Sequence, residues 1–171
     1  LARAKGTPRP PTPVPSGMAL WGGGWVEEGG WFFHRGGNFV LSQIPRVDGR
    51  ITFTAILRKG RRLRWVVNYT DERNYDLFEL DRRSFYHTVV RNGKRTERPR
   101  VSHPLGDWQY CSVQIEVTPA SIVHRLRKGE EWVVLSQVPG EPGRDYTQGK
   151  FGFYIPGDDQ VGLSHFIFTP R

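Results

Sequence analysis

Paired carboxyl groups would be the most informative catalytic signal in this sequence, because glycoside hydrolysis usually needs two of them, roughly 5–10 Å apart, facing one sugar. Glu79 and Asp81 come nearest to such a pair. As alternate residues of one predicted strand, they are expected to share a face of it. The chain continues with Arg82 and Arg83, and no third carboxylate extends the row. Pairing of these acids with nearby arginines is therefore favoured over a catalytic role.

The histidines and the single cysteine do not predict a metal site or a nucleophile. None of the five histidines has the spacing of a His-x-His or His-x-x-x-His pair. His87 and His124 fall on predicted strands, where neighbouring side chains are expected to satisfy them. Cys111 alternates with Val113 and Ile115, so we expect it to be a small, buried and chemically inert residue.

No cofactor is predicted from these residues. Calcium would require a loop rich in oxygen ligands. Gly157-Asp158-Asp159 is the one segment that offers it, and the same residues are typical of an ordinary hairpin turn. Calcium therefore stays an alternative.

Basic side chains are concentrated in two short runs, Arg58–Arg64 and Arg91–Arg100, which straddle predicted hairpin turns. The formal net charge is +8. Solvated turns are the favoured interpretation, and attraction to an anionic polymer or surface is the alternative. Nucleic acid is disfavoured as a partner, because no helix is predicted that could enter a groove.

Apolar and polar residues alternate with a period of two from Leu20 onward, which predicts strands with one buried face. The row from Cys111 to Val117 is the clearest case, and Asn92-Gly93 is typical of a tight hairpin turn. The 20 glycines and 13 prolines are scattered too evenly for long helices. The prediction is an all-β, antiparallel, two-sheet jelly-roll sandwich.

Residues 1–17 differ from the rest in containing five prolines, which favour an extended, stiff spacer. We predict a proline-rich linker over residues 1–17 and one domain over residues 18–171, as part of a larger protein. No run approaches the roughly 18 apolar residues of a membrane helix. A spacer of this kind usually separates a domain from a membrane anchor or another domain. A single cysteine does not determine the compartment, so the location stays open, and an extracytoplasmic one, in the periplasm or at the cell surface, is favoured.

Strand parity also predicts which side chains point away from the core. If the rows that contain Trp65 and Cys111 face inward, polar and aromatic residues at the intervening positions face outward. The predicted outward set is Thr54, Arg64, Asn68, Tyr75, Glu79, Tyr110 and Gln114. Its amide, hydroxyl, guanidinium and phenol groups suit a polyhydroxylated ligand, and they also suit a plain hydrated sheet. A single bulge would reverse the faces of a strand.

Several segments with glycines and aromatic residues follow one another in a fixed order: residues 25–31, 38–41 and 69–76, Trp108, Lys128-Gly129 leading into Trp132, and residues 149–154, 161–163 and 166–168. In this order they resemble the concanavalin A-like lectin and glucanase superfamily, and within it the bacterial laminin-G-like and 3-keto-disaccharide hydrolase-like branch. The resemblance implies a jelly roll that often handles carbohydrate on a concave face or at edge loops. Its β-glucanases carry Glu-x-Asp-x-x-Glu, whose third carboxylate is missing after Glu79 and Asp81.

The same architecture hosts lectins, hydrolases and adhesive modules, so the fold alone does not determine the function. The preferred hypothesis is a non-catalytic module that binds carbohydrate or another extracellular polymer. A glycoside or keto-sugar hydrolase that uses Glu79 and Asp81 is one alternative. A protein-interaction or sensor domain is another.

Overall fold

Strands account for nearly all regular structure in the computed structural model, which describes residues 6–10 and 17–171. In chain order they are β1 (Val26–Glu28), β2 (Trp31–Arg35), β3 (Asn38–Leu41), β4 (Gly49–Lys59), β5 (Leu63–Asp71), β6 (Asn74–Leu80), β7 (Ser84–Arg91), β8 (Lys94–Glu97), β9 (Val101–Ser102), β10 (Tyr110–Thr118), β11 (Ser121–Lys128), β12 (Glu131–Val138), β13 (Lys150–Ile155) and β14 (Gln160–Pro170). A 3-10 helix, Met18–Trp21, precedes them. Residues 6–10 and 17–171 contain no helix that could span a membrane. The all-β prediction is confirmed.

The strands form two antiparallel sheets. Sheet A has the order β1-β2-β14-β4-β10-β11-β12, and sheet B has the order β3-β13-β5-β6-β7-β8, with β9 also paired to β7. The last two strands join distant parts of the chain, because β14 lies between β2 and β4 while β13 lies between β3 and β5. The sheets pack face to face, so the predicted two-sheet sandwich is present.

Alternate residues of each strand point into the space between the sheets and form the core. Cys111, Val113 and Ile115 of β10 are buried there, in one cluster with Trp65 and Phe153 of sheet B. The prediction that Cys111 is buried is confirmed. Burial raises the pKa of its thiol, which disfavours the reactive thiolate.

The two strand histidines are held by neighbouring side chains, as predicted. His87 Nε2 lies 2.9 Å from one carboxylate oxygen of Asp76, and Arg91 donates a hydrogen bond of 2.6 Å to the other. Trp65 Nε1 lies 2.9 Å from His124 Nε2, so that nitrogen accepts and the neutral ring carries its proton on Nδ1. Burial lowers the pKa of His124 well below its usual value, which keeps the ring neutral.

A smaller apolar cluster lies on the outer face of sheet A and consists of Trp31, Phe33 and Ile56. The chain before the 3-10 helix touches it, because Trp31 Nε1 donates a hydrogen bond of 2.6 Å to the carbonyl oxygen of Pro8. The linker predicted for residues 1–17 stays a prediction. Three of its five prolines, Pro11, Pro13 and Pro15, lie outside the described residues.

Candidate functional site

The seven residues predicted to form one ligand-binding face do not share a face. Thr54, Tyr110 and Gln114 lie on β4 and β10 of sheet A, whereas Arg64, Asn68, Tyr75 and Glu79 lie on β5 and β6 of sheet B. The outer faces of the two sheets are on opposite sides of the sandwich, so the prediction of a single face is wrong. Parity separates inward from outward positions within a strand, but it carries no information about which sheet the strand joins.

The three residues on sheet A form a small polar patch that is mostly bonded to itself. Thr54 Oγ1 and Ser112 Oγ lie 2.8 Å apart, and Gln114 accepts a hydrogen bond of 3.3 Å from Arg125. Thr54 and Gln114 are both buried, whereas Tyr110 is 40% exposed. Tyr110 is therefore the one member of this trio that is freely available to a ligand.

Asn68 is not on an outer face, which corrects the prediction. Its Nδ2 donates hydrogen bonds of 3.1 and 2.8 Å to the carbonyl oxygens of Asp145 and Gln148, and its Oδ1 accepts one of 2.7 Å from Arg144. A φ of 58° at Asn68 and a register shift after Val67 show that β5 is irregular here. This irregularity reverses the parity of the residues that follow. Asn68 anchors the loop between β12 and β13.

Tyr75 lies within an aromatic cluster on the outer face of sheet B. Its ring centroid is 5.2 Å from that of Phe39 and 5.6 Å from that of Tyr69. Tyr154 lies 4.7 Å from Phe39. Tyr75 is buried beneath these rings, so it supports the face rather than offering a free stacking surface. The cluster was not predicted, because Phe39 on β3 and Tyr154 on β13 are far in sequence from the β5–β6 hairpin that carries Tyr69 and Tyr75.

Arg64 and Glu79, the other two predicted residues of sheet B, form an ion pair. Arg64 Nε donates a hydrogen bond of 2.7 Å to Glu79 Oε2, and Arg62 lies 3.5 Å from the second carboxylate oxygen. The Glu79 side chain is only 12% exposed. Two arginines therefore pair with this carboxylate. This agrees with the sequence analysis, which favoured pairing with arginines over a catalytic role.

Asp81 is occupied by the turn in which it lies. β6 ends at Leu80, so Asp81 does not continue the strand face of Glu79 as the sequence suggested. Its carboxylate accepts hydrogen bonds of 2.8 and 2.7 Å from the backbone N–H groups of Arg83 and Ser84, and one of 2.7 Å from the Tyr86 hydroxyl. Burial raises the pKa of Asp81, but these hydrogen bonds outweigh it and hold the pKa below its usual value. Asp81 therefore stabilises its turn. Its carboxylate is ionised at neutral pH and has no proton to donate.

The two aspartates considered as calcium ligands are engaged with cations. Asp158 pairs with Lys59, and Asp159 lies 3.5 Å from Arg64. Across residues 6–10 and 17–171, no group of three or more His, Cys, Asp or Glu side chains is placed to hold a metal ion. Calcium stays an untested alternative.

A cleft of about 830 Å³ lies at the end of the sandwich where the β4–β5 and β6–β7 turns meet the loop before β10, and residues 6–8 of the N-terminal segment also line it. It is called the arginine cleft here. Trp108 and Tyr86 contribute aromatic rings to its lining. Five arginines also line it: Arg58, Arg61, Arg82, Arg83 and Arg100. Among the described residues, Asp81 is the single acidic member of the lining.

Four of these five guanidinium groups have no protein partner in the described part of the chain. Arg58 is the exception, since it donates hydrogen bonds to Glu28 at 3.1 Å and to Gln160 at 2.9 Å and lies 3.6 Å from the centre of the Phe33 ring. The remaining four are exposed arginines from three separate segments: Arg61, Arg82, Arg83 and Arg100. Their hydrogen-bond donors are available to a ligand.

Side chains from the loop before β10 stabilise the turn that carries Arg82 and Arg83. The carbonyl oxygen of Asp81 accepts a hydrogen bond of 2.9 Å from Trp108 Nε1 and lies 2.8 Å from His103 Nε2. Together with the three bonds to the Asp81 carboxylate, these contacts hold the turn in one conformation. The backbone of this turn, which forms part of the cleft lining, is therefore preorganised, and this reduces the entropy lost on binding.

The sequence contained part of the signal for this site. The basic run Arg58–Arg64 contributes Arg58 and Arg61, and the second run contributes only Arg100. Arg82 and Arg83 were noted in the sequence only because they follow Glu79 and Asp81 in place of a third carboxylate. What joins these segments is the packing of two sheets, which no local pattern encodes.

No protein-family model and no curated protein matches the sequence. Among solved structures, a carbohydrate-binding module, CBM66 from Bacillus subtilis, is 14% identical with a TM-score of 0.61, over 83% of this chain and 88% of that one. The GH43 protein BlXynB from Bacillus licheniformis is 11% identical with a TM-score of 0.62, but the match covers 85% of this chain and only 34% of that protein. The exoplasmic/lumenal domain of VIP36, in a Ca²⁺- and mannose-bound form, is 10% identical with a TM-score of 0.53, over 87% and 83% of the two chains. At these identities the likeness shows the fold alone, an antiparallel two-sheet jelly-roll sandwich.

Proposed function

We propose that this protein is a non-catalytic carbohydrate-binding module and that the arginine cleft is its binding site. The observation that carries the proposal is the set of four guanidinium groups, unpaired within the described residues, around a braced cleft. Guanidinium groups present several N–H donors in a fixed plane, which suits the oxygen-rich surface of a saccharide. The named functions of CBM66 and of mannose-bound VIP36 support the ligand class.

Hydrolysis is the less supported alternative. A glycosidase of the usual kind needs one carboxylic acid that donates a proton and a second carboxylate opposite it. Asp81 is ionised and accepts three hydrogen bonds, and Glu79 is paired with Arg64 and Arg62. Neither group is poised as a general acid, so GH43 neighbours with the same fold do not make this chain a hydrolase.

The wider setting is also part of the proposal. We propose that residues 1–17, of which residues 6–8 also line the arginine cleft, join the domain to the rest of a larger protein, and that the module acts at the cell surface or in the periplasm. Carbohydrate polymers of the cell envelope or surroundings would then be its ligands. A protein partner remains the alternative if no saccharide binds.

The test is binding to an array of oligosaccharides by the wild type and by the double variant Arg82→Ala/Arg83→Ala. Because charge-assisted hydrogen bonds contribute about 1.5–3 kcal/mol each, the double variant should bind its best saccharide at least about tenfold more weakly. Arg127→Ala/Lys128→Ala, on the exposed β11–β12 hairpin, removes the same charge elsewhere and should bind normally. Release of reducing sugar by the wild type, abolished in Glu79→Gln, would replace binding by hydrolysis.

A further inference from the structure

We infer that the arginine cleft selects acidic saccharides, those that carry carboxylate or sulfate groups, over neutral ones. The inference rests on the proposed function and deepens it by naming the ligand class. It starts from the balance of charge in the lining. One of the five arginines is bound by Glu28, and four have no anionic partner in the described residues.

The one acidic residue of the described lining, Asp81, offsets only one of these four charges, so a surplus of positive charge remains. Both oxygens of the Asp81 carboxylate already accept hydrogen bonds, from two backbone N–H groups and from the Tyr86 hydroxyl. Its backbone carbonyl is occupied by Trp108 and His103. A concave surface with uncompensated positive charge concentrates the field and attracts anions.

The balance of donors and acceptors leads to the same ligand. A neutral sugar presents hydroxyl groups that must both donate and accept hydrogen bonds, whereas a guanidinium group can only donate. The largest set of free polar groups in the described lining is the four guanidinium groups, which can only donate. A carboxylate or sulfate is a pure acceptor, and its geometry matches the planar fork of arginine with two parallel hydrogen bonds.

The four arginines also come from three turns that converge on one cavity. Arg61 lies between β4 and β5, Arg82 and Arg83 lie between β6 and β7, and Arg100 precedes β9. A cleft of about 830 Å³ lies within the size range of small-ligand pockets, so a short oligosaccharide fits it. Several donors could then contact successive acidic groups of one chain.

A nucleic acid is the other anionic polymer to consider, and the aromatic groups argue against it. Single-stranded nucleic acids are bound by stacking bases on free aromatic faces. In this cleft the guanidinium carbon of Arg62 already lies 4.0 Å from the centre of the Tyr86 ring. Trp108 is partly buried and packs against the core, so neither ring is an open platform.

The experiment compares matched probes by calorimetry on the full chain. One pair is a short oligogalacturonate and its carboxyl-reduced neutral counterpart, and a second pair is a sulfated oligosaccharide and its desulfated form. A single-stranded oligonucleotide of equal charge is the third probe. We expect each acidic probe to bind about tenfold or more tightly than its neutral partner, with weaker binding as salt rises from about 50 to 200 mM. The two pairs show whether carboxylate or sulfate is preferred.

Three variants test whether the cleft is responsible. Arg82→Ala/Arg83→Ala should lose the preference for acidic probes, and Arg127→Ala/Lys128→Ala should keep it. Both variants should have the thermal midpoint of the wild type, which shows that they are folded. Arg82→Lys/Arg83→Lys keeps the charge but removes the planar forks, so it should bind several-fold more weakly than the wild type. Wild-type affinity in the lysine variant would overturn the role of the guanidinium forks.

The outcomes separate this inference from the proposed function. Equal binding of neutral and acidic probes, sensitive to the alanine variant, would overturn acid selection and leave a carbohydrate-binding module. Binding of no saccharide would overturn both. An oligonucleotide that binds as tightly as the acidic saccharides would overturn the assignment of saccharide as the ligand.

Discussion

Replacing Asp76 by asparagine removes the negative charge that contacts His87 between the sheets. Asp76 is fully buried, lies 2.9 Å from His87 Nε2 and accepts a hydrogen bond of 2.6 Å from Arg91. Breaking a buried ion pair by removing one partner costs about 3–5 kcal/mol. Arg91 is 19% exposed and keeps Glu141 at 3.1 Å, so we expect the lower end of that range, about 3 kcal/mol.

Chemical denaturation of the wild type and Asp76→Asn at neutral pH measures this loss. For a domain of this size, about 3 kcal/mol corresponds to roughly 6–12 °C in the thermal midpoint. Asp71→Asn is the matched control, since Asp71 is an exposed aspartate at the end of β5, and it should change stability much less. A loss below about 1 kcal/mol for Asp76→Asn would refute the reasoning, because the attraction within the pair would then do no more than offset desolvation.

The pH dependence of stability provides a second test of the interactions of Asp76. Burial raises the pKa of Asp76, but the hydrogen bonds from His87 and Arg91 and the charge of Arg91 outweigh it, so the pKa lies below the usual 3.8. A carboxylate with a depressed folded pKa stabilises the fold above its unfolded pKa, and this stabilisation is lost as pH falls through the folded value. The wild type should therefore lose stability below about pH 4 more steeply than Asp76→Asn does.

Two further predictions concern packing. Gly162→Ala should destabilise the domain by about 1–3 kcal/mol in urea denaturation, because its Cβ would lie 2.6 Å from Ile56 Cγ2 and 2.7 Å from the Phe33 ring. Gly23→Ala is the control, because no atom of the described residues beyond its two chain neighbours lies within 4 Å of the new Cβ, and equal stability of the two variants would contradict the packing argument. Cys111 should react with a thiol reagent only after unfolding, and rapid labelling of the native protein would show that the β10 row is not buried.

The strands and the core were predictable because their signal is local. A strand with one buried face must alternate apolar and polar residues, so the row from Cys111 to Val117 is enough to identify β10 and its inward side. The same parity placed Glu79 on an outer face beside Arg64. It failed at Asn68, where the backbone changes to a positive φ and the register shifts.

The grouping of outward residues was beyond any local signal. Thr54 and Arg64 are ten residues apart and lie on β4 and β5, which are consecutive in the chain. Both strands alternate apolar and polar residues, yet they belong to different sheets. Which sheet a strand joins depends on long-range pairing, such as the insertion of β13 beside β5 and of β14 beside β4. A binding face assembled from parity alone therefore mixed two opposite surfaces.

Composition and periodicity in the sequence determined the fold class, the burial of Cys111 and the presence of basic turns, because each depends on neighbours along the chain. Only the tertiary structure decided that Arg61, Arg82 and Arg100 surround one cleft and that Asp81 is used by its own turn. The physical reason is that a binding site is a set of distances between segments far apart in sequence. Those distances follow from how the two sheets pack, and the packing is a property of the whole chain.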